Sequence, residues 1–193
     1  MRKNMVRLVR ILGICLILCG AGLLLVQQLR INGARKTARE TAAAIEAILP
    51  ERTAGIPDSY TDLSMPVLEF GGEDYIGILE LPAFGVTLPV GSEWDSGKVG
   101  SYPCRFWGSV NDASLVIGGA DQRGQLDFCD RIDLGATVKV TDMTGAEFRY
   151  SVARVDRSKE ARTQWLCDEN YDLTLFARSA ASFEYIAVRC EMG

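Results

Sequence analysis

The sequence predicts an all-β domain of the small sandwich or barrel kind, set behind an N-terminal transmembrane helix and a helical stalk. Three observations carry this prediction. From Tyr75 onward, short apolar runs alternate with turn residues, as YIGILEL, VTLPV, SLVIGG, TVKVTD, EFRYSVARV, DLTLF and FEYIAVR, the pattern of closely spaced short strands. Near the start lies an uncharged run of 16 residues, Ile11 to Val26. Charge is also divided: the first 39 of the 193 residues carry eight basic and no acidic side chains, whereas the rest carry 13 basic and 25 acidic ones. The net charge of −4 therefore hides an acidic domain, which argues against nucleic acid as a partner, because phosphate binding needs a basic face.

Arg2, Lys3, Arg7 and Arg10 precede the apolar run and Arg30 follows it. With Val6, Leu8, Val9 and Leu29 extending it and the arginines snorkelling, it reaches the roughly 20 residues that cross a bilayer. A retained span is favoured over a cleaved signal peptide because no good A-x-A-like site follows, although Cys19-Gly20-Ala21 ends in small residues. The bulky Leu18 before Cys19 disfavours lipid attachment there. A short basic tail keeps the N-terminus inside and sends the domain out of the cell. Ala34 to Leu49 then reads as a stalk or packing helix ended by Pro50. The stretch Glu51 to Asp74, with two prolines and three glycines, reads as an extended linker. The expected organisation is thus tail and anchor over 1–30, stalk and linker over 31–73, and the β-domain over 74–193.

Within the domain, Thr141 to Gly145 is a hairpin turn. Phe128, Ile132 and Leu134 have the spacing of a short helix or packed loop. Trp165 and Leu166 are expected to anchor the charged segment from Asp156 to Asn170. At the C-terminus two strand patterns meet around the small-residue turn Ser179 to Ser182, where a loop held by paired strand ends is suited to carry a site. Cys15 and Cys19 fall in the apolar run and read as small apolar residues. Cys104, Cys129, Cys167 and Cys190 form no C-x-x-C pair and, with no histidine in the chain, no zinc-like ligand set. One disulfide among them is compatible with an extracytoplasmic domain.

Several strings together resemble the sortases, membrane-anchored cysteine transpeptidases of Gram-positive cell surfaces, in their class B-like or clostridial form. They are Tyr75-Ile-Gly-Ile-Leu-Glu-Leu-Pro82, Leu88-Pro-Val, Tyr102-Pro-Cys-Arg105 with Gly108-Ser109, Val138-Lys-Val-Thr-Asp-Met-Thr-Gly145, Asp172-Leu-Thr-Leu-Phe176 and Val188-Arg-Cys190. The resemblance covers about Tyr75 to Cys190. It implies an eight-stranded closed β-barrel with a peptide groove on one wall and three catalytic groups at strand ends. The histidine that moves protons is expected after Leu115-Val-Ile-Gly-Gly119, where this chain has Ala120. The nucleophilic cysteine is expected after Thr174-Leu-Phe-Ala177, where it has Arg178. The arginine that steadies the oxyanion is expected four residues before Arg189, where it has Tyr185. A methyl group moves no proton, a guanidinium is no nucleophile, and a phenol offers one neutral donor in place of a charged fork. Without any histidine, Cys-His chemistry is excluded by composition.

The resemblance therefore implies a degenerate member, with no catalytic residue intact and with Arg178, Tyr185 and Asp121 as candidate peptide-binding residues. Arg178 is expected either to bridge to Asp121 or to bind a ligand carboxylate. Asp121, Asp127, Asp130 and Asp133 lack the order of a calcium loop and read as solvated acids. Gly118-Gly119 reads as a strand-end turn, with no phosphate-loop pattern beside it. Trp94, Trp107 and Trp165 read first as packing and second as groove lining. No metal or cofactor is expected. Three functions remain open: a membrane-bound pseudo-sortase that binds a surface-protein peptide or an active sortase; a divergent transpeptidase or hydrolase using Cys129 or Cys167 with an aspartate; and a purely structural envelope protein.

Overall fold

A computed structural model describes residues 2–50, 53–54 and 64–193, with side chains from residue 13 onward except 30, 31, 35, 53 and 54. One helix, α1 (Arg2–Ile48), runs through both the expected anchor and the expected stalk helix. The chain divides into two compact units, Met1–Ala34 and Arg35–Gly193. In the first, Ile14, Leu16, Ile17, Leu18, Leu23 and Leu24 are exposed, and the stretch Gly13–Ile48 is long and apolar enough to cross a membrane by length and composition. The basic tail's side chains lie outside the described ones.

The second unit is a barrel. Its strands are β1 (Thr53–Ala54), β2 (Leu68–Phe70), β3 (Glu73–Leu81), β4 (Val86–Gly91), β5 (Cys104–Trp107), β6 (Leu115–Ala120), β7 (Thr137–Asp142), β8 (Ala146–Ser158), β9 (Leu173–Arg178) and β10 (Tyr185–Met192). Eight of them close a ring in the order β8-β10-β9-β6-β5-β4-β3-β7, and β7 pairs back to β8. Closure removes the unpaired edges that an open sheet would expose. The short β1 and β2 add to β8 and β3. Both fall in the stretch expected to be a linker, part of which lies outside the described residues. Strand alternation sends Ile76, Leu79, Leu88, Val90, Leu115, Ile117, Leu173, Leu175, Ile186 and Val188 inward.

The hairpin at Thr141–Gly145 forms as expected. Asp142 accepts the N–H groups of Thr144 and Ala146 at 2.9 and 3.0 Å, and Gly145 takes φ 86°, a conformation that costs glycine little. The segment after β6 is a packed series of turns, but it buries Leu126, Phe128, Cys129 and Ile132 and leaves Leu134 exposed. Leu134 therefore does not share the packing expected of it. Of the two roles open to Ala34 to Leu49, stalk or packing helix, its end takes the second and belongs to the core, with Ala42 and Ile45 packed against Tyr75, Ile78, Tyr102 and Cys104.

A second helix, α2 (Thr163–Leu166), interrupts the long β8–β9 connection. It is fastened by Arg189, which is fully buried. Its Nη1 donates to the Leu166 carbonyl at 2.8 Å and to Thr174 Oγ1 at 3.0 Å, its Nη2 donates to the Trp165 carbonyl, and its Nε donates to Asp156 Oδ2 at 3.3 Å. The Trp165 and Tyr171 rings flank it at 5.2 and 5.8 Å. The register of β10 on β8 shifts between Arg189 and Cys190, the signature of a bulge.

Two outcomes test this packing. Ile45→Ala should lower the unfolding free energy by about 2–5 kcal/mol, and a soluble fragment starting at Arg35 should melt well above one starting at Glu51. Equal melting of the two fragments would remove α1 from the core. Arg189→Ala should destabilise the domain by about 2–4 kcal/mol, because it leaves two backbone carbonyls and the Thr174 hydroxyl without their donor while Asp156 keeps Arg154, and should open residues 159–172 to limited proteolysis. Unchanged chemical denaturation and unchanged cleavage would show that the buried arginine does not hold that segment.

Candidate functional site

The outward face of β6, β9 and β10 is ordered in three lateral rows. At the strand ends, Ala120 is the register partner of Arg178, and Arg178 that of Tyr185. The next row is Gly118, Phe176 and Ala187, and the third is Val116, Thr174 and Arg189. The three positions at which the sequence departs from its resemblance thus lie side by side on adjacent strands.

In the first row the Ala120 N–H donates to Gln125 Oε1, leaving only a methyl group to face outward. Arg178 is exposed. Its Nε–H donates to the Phe183 carbonyl at 3.2 Å, and its guanidinium lies 6.0 Å and 5.8 Å from the Phe183 and Tyr185 ring centres. These are cation–π distances. The expected bridge from Arg178 to Asp121 is not formed. Asp121 Oδ2 instead accepts the Ala180 N–H at 2.7 Å, so this carboxylate fixes the β9–β10 turn. Ser179 Oγ accepts the N–H groups of Ala181 and Ser182 in the same turn. Phe183 there has φ 59° and is 67% exposed, a left-handed conformation that is uncommon for a bulky side chain.

The second row is filled by aromatic rings. Trp94, from the β4–β5 loop, stacks on Phe176 at 5.5 Å between ring centres, and Phe106 meets both edge-on at 5.5 and 5.4 Å. Such pairs gain energy beyond their area burial. A β-carbon on Gly118 would come within 2.4–2.5 Å of Phe176 and Trp94, so this position must be glycine for the rings to lie on the strand.

At the third row an open cavity of about 570 Å³ begins, bordered by Val116, Thr174, Trp107, Cys167 and Tyr171. A second cavity of about 580 Å³ lies beside Trp94 and the loop that carries it, with Glu73, Lys98, Tyr102 and Arg105 in its wall. There the Glu73 carboxylate accepts from Lys98 Nζ and, at 3.1 Å, from Tyr102 Oη. The two hydrogen bonds, from Lys98 and then Tyr102, hold the Glu73 carboxyl below its usual range.

The domain's thiols are all free, so the disulfide compatible with the sequence is not formed. Burial pushes Cys104 and Cys167 up, Cys129 well up, and Cys190 up to about 12. At Cys167 the Arg189 charge opposes this shift, but desolvation outweighs it. A thiol with a raised pKa is a poor nucleophile near neutrality.

Asp127 and Asp130 pair with Arg131, and Asp133 is exposed. Among the described residues no three acidic or thiol side chains are grouped as a metal site. Trp165 is packing, as expected, whereas Trp94 both packs and covers the floor. The strand alternation places Thr174, Phe176 and Arg178, and likewise Tyr185, Ala187 and Arg189, on one face. That signal could have pointed to Phe176 and Arg189. Nothing in the sequence brings Phe106, Trp94 or Tyr171 to them.

No family model and no curated protein matches the sequence. Solved structures do match. Sortase A from Corynebacterium diphtheriae aligns over 84% of this chain and 84% of its own, with TM-score 0.55 and 16% identity. Sortase C-1 from Actinomyces oris aligns over 82% and 98%, with TM-score 0.55 and 16% identity. A sortase D5 transpeptidase from Clostridium perfringens aligns over 62% and 79%, with TM-score 0.51 and 15% identity. What this chain shares with these proteins at such low identity is architecture, and the eight-stranded closed barrel of Arg35–Gly193 is a sortase-like fold.

Proposed function

We propose that the chain is a membrane-anchored, extracytoplasmic pseudo-sortase of a Gram-positive cell envelope, which binds a peptide or protein and does not carry out transpeptidation. The observation that carries this reading is the first row. On the family's pattern, Ala120, Arg178 and Tyr185 stand at the proton shuttle, the nucleophile and the oxyanion arginine, and they are register partners on neighbouring strands. Acyl transfer needs a thiolate or activated hydroxyl, a base that passes its proton to the leaving amine, and a charged donor for the oxyanion. None of the three side chains is a nucleophile or a proton-passing base, and the one charged donor, Arg178, stands at the nucleophile's position.

The rival enzyme reading requires another nucleophile. Cys129 is fully buried and its thiol is held protonated, and Cys167 is half-buried with its thiol likewise pushed up. Neither suits attack on a peptide carbonyl. What the corner retains is recognition chemistry. The Nη groups of Arg178 have no protein partner among the described residues, and a guanidinium held over two rings is suited to a carboxylate, such as an acidic side chain or a peptide terminus. The partner is a surface-protein peptide or an active sortase. The anchor in this reading is the apolar stretch of α1.

Full-length protein in detergent micelles should give no cleavage or transfer with sorting-signal peptides, and a thiol-directed peptide probe should label no single cysteine preferentially. Turnover that survives removal of contaminating sortase would overturn the proposal. Restoring Ala120→His, Arg178→Cys and Tyr185→Arg together should yield peptide-dependent acylation of the new thiol, read by mass spectrometry. Each single change should leave it at background, because such groups act as a unit.

A further inference from the structure

The cavity at the third row differs in chemistry from the corner at the first. Its floor is Val116 and Thr174, and its wall includes Trp107, 57% exposed, and Tyr171. The charged groups lining it are Asp112, Asp168 and Glu169, with no basic side chain among them. They approach from two separate connections, Asp112 from β5–β6 and the other two from the segment after α2. Behind it Arg189 and Arg154 share one carboxylate, Asp156, and their charge is felt at Asp168 on the rim, but the three rim carboxylates together with Asp156 outnumber the two guanidinium groups.

We propose that this cavity receives the cationic side chain, Lys or Arg, of an extended peptide segment from a partner protein. An aromatic wall attracts a cation through the ring quadrupole and packs on its aliphatic stem, and three carboxylates at the rim complement the charge. The carboxylates are spread around the opening and form no metal-binding group, an arrangement suited to a diffuse organic cation and not to a metal ion. The rim is also fixed in shape. Asp112 accepts the Ser109 N–H at 3.1 Å and the Ser114 hydroxyl at 2.5 Å, and Asp168 accepts the Asn170 N–H and Nδ2 at 3.1 and 2.6 Å. At about 570 Å³ the space exceeds one side chain, so neighbouring residues of the segment enter with it.

This inference rests on the peptide-binding reading, and its test separates the two. Full-length protein in detergent micelles is titrated with acetylated, amidated pentapeptides that carry lysine, norleucine or glutamate at the centre, and the tryptophan fluorescence is followed. The lysine peptide should bind at least about tenfold more tightly than the norleucine peptide, and its affinity should fall between about 50 and about 500 mM salt. Asp168→Asn with Glu169→Gln keeps the turn's hydrogen-bond acceptors and should cut the preference to about threefold or less, whereas Arg178→Ala should change the affinity of the lysine and norleucine peptides alike and leave their ratio as it was. Equal binding of lysine and norleucine peptides would overturn the charge assignment while leaving a peptide-binding domain. Binding of none of the peptides would overturn the cavity's role, and loss of the preference in Arg178→Ala would move the site to the first row.

Discussion

Arg189 is the constraint on which the outer face depends. A guanidinium removed from water is tolerated only when its donors are met, and here two backbone carbonyls, a threonine hydroxyl and a carboxylate meet them. Those partners come from β8, α2 and β9, so one side chain fixes the long β8–β9 connection over the strands. Leu166 then packs with Val116, Phe176 and Ala187 into a small apolar cluster outside the barrel. Below the sheet the hydrophobic core needs no such clamp. Above it, the walls of the groove are loops, and a polar fastening does what apolar area alone would not.

The same face shows a division of labour along the strands. The first row carries the exposed Arg178 between the half-buried Ala120 and Tyr185, the second is occupied by the Trp94, Phe106 and Phe176 rings, and the third opens into an acidic cavity. Any ligand spanning the face would have to cross the rings or displace Trp94, whose loop is tied down by Gln125, which donates to the Val99 carbonyl at 3.1 Å. On this sortase-like fold the Trp94, Phe106 and Phe176 rings therefore separate the strand-end corner from the acidic cavity.

Much of the barrel was legible in the sequence because short runs of branched and aromatic residues bounded by turn residues, such as Tyr75 to Leu81 and Phe183 to Val188, mark strands even where, as in β3, both faces are buried. β5 was not found by periodicity. It is four residues long, its register slips between Arg105 and Trp107, and so no alternation develops. The role of α1 was also hidden, since Ala42 and Ile45 suit a solvent-facing spacer and a packed end alike. The three corner positions could be found along the chain, but their lateral alignment depends on which strands are neighbours. Asp121 shows the limit most clearly. Opposite charge made Arg178 its natural partner, yet an unpaired N–H in the turn at Ala180 lay in reach, and Phe183 and Tyr185 took the guanidinium.

The desolvation of the four domain thiols has a further consequence. Most proteins carry some side chain that changes charge near neutrality, usually histidine and sometimes an activated cysteine. This chain has no histidine, and desolvation moves its domain thiols away from that range. Its surface pattern of charge is consequently almost constant while the medium drifts around neutral acidity. Near neutrality the charges such a domain presents are those of its carboxylates, lysines and arginines, and salt rather than acidity is what modulates them.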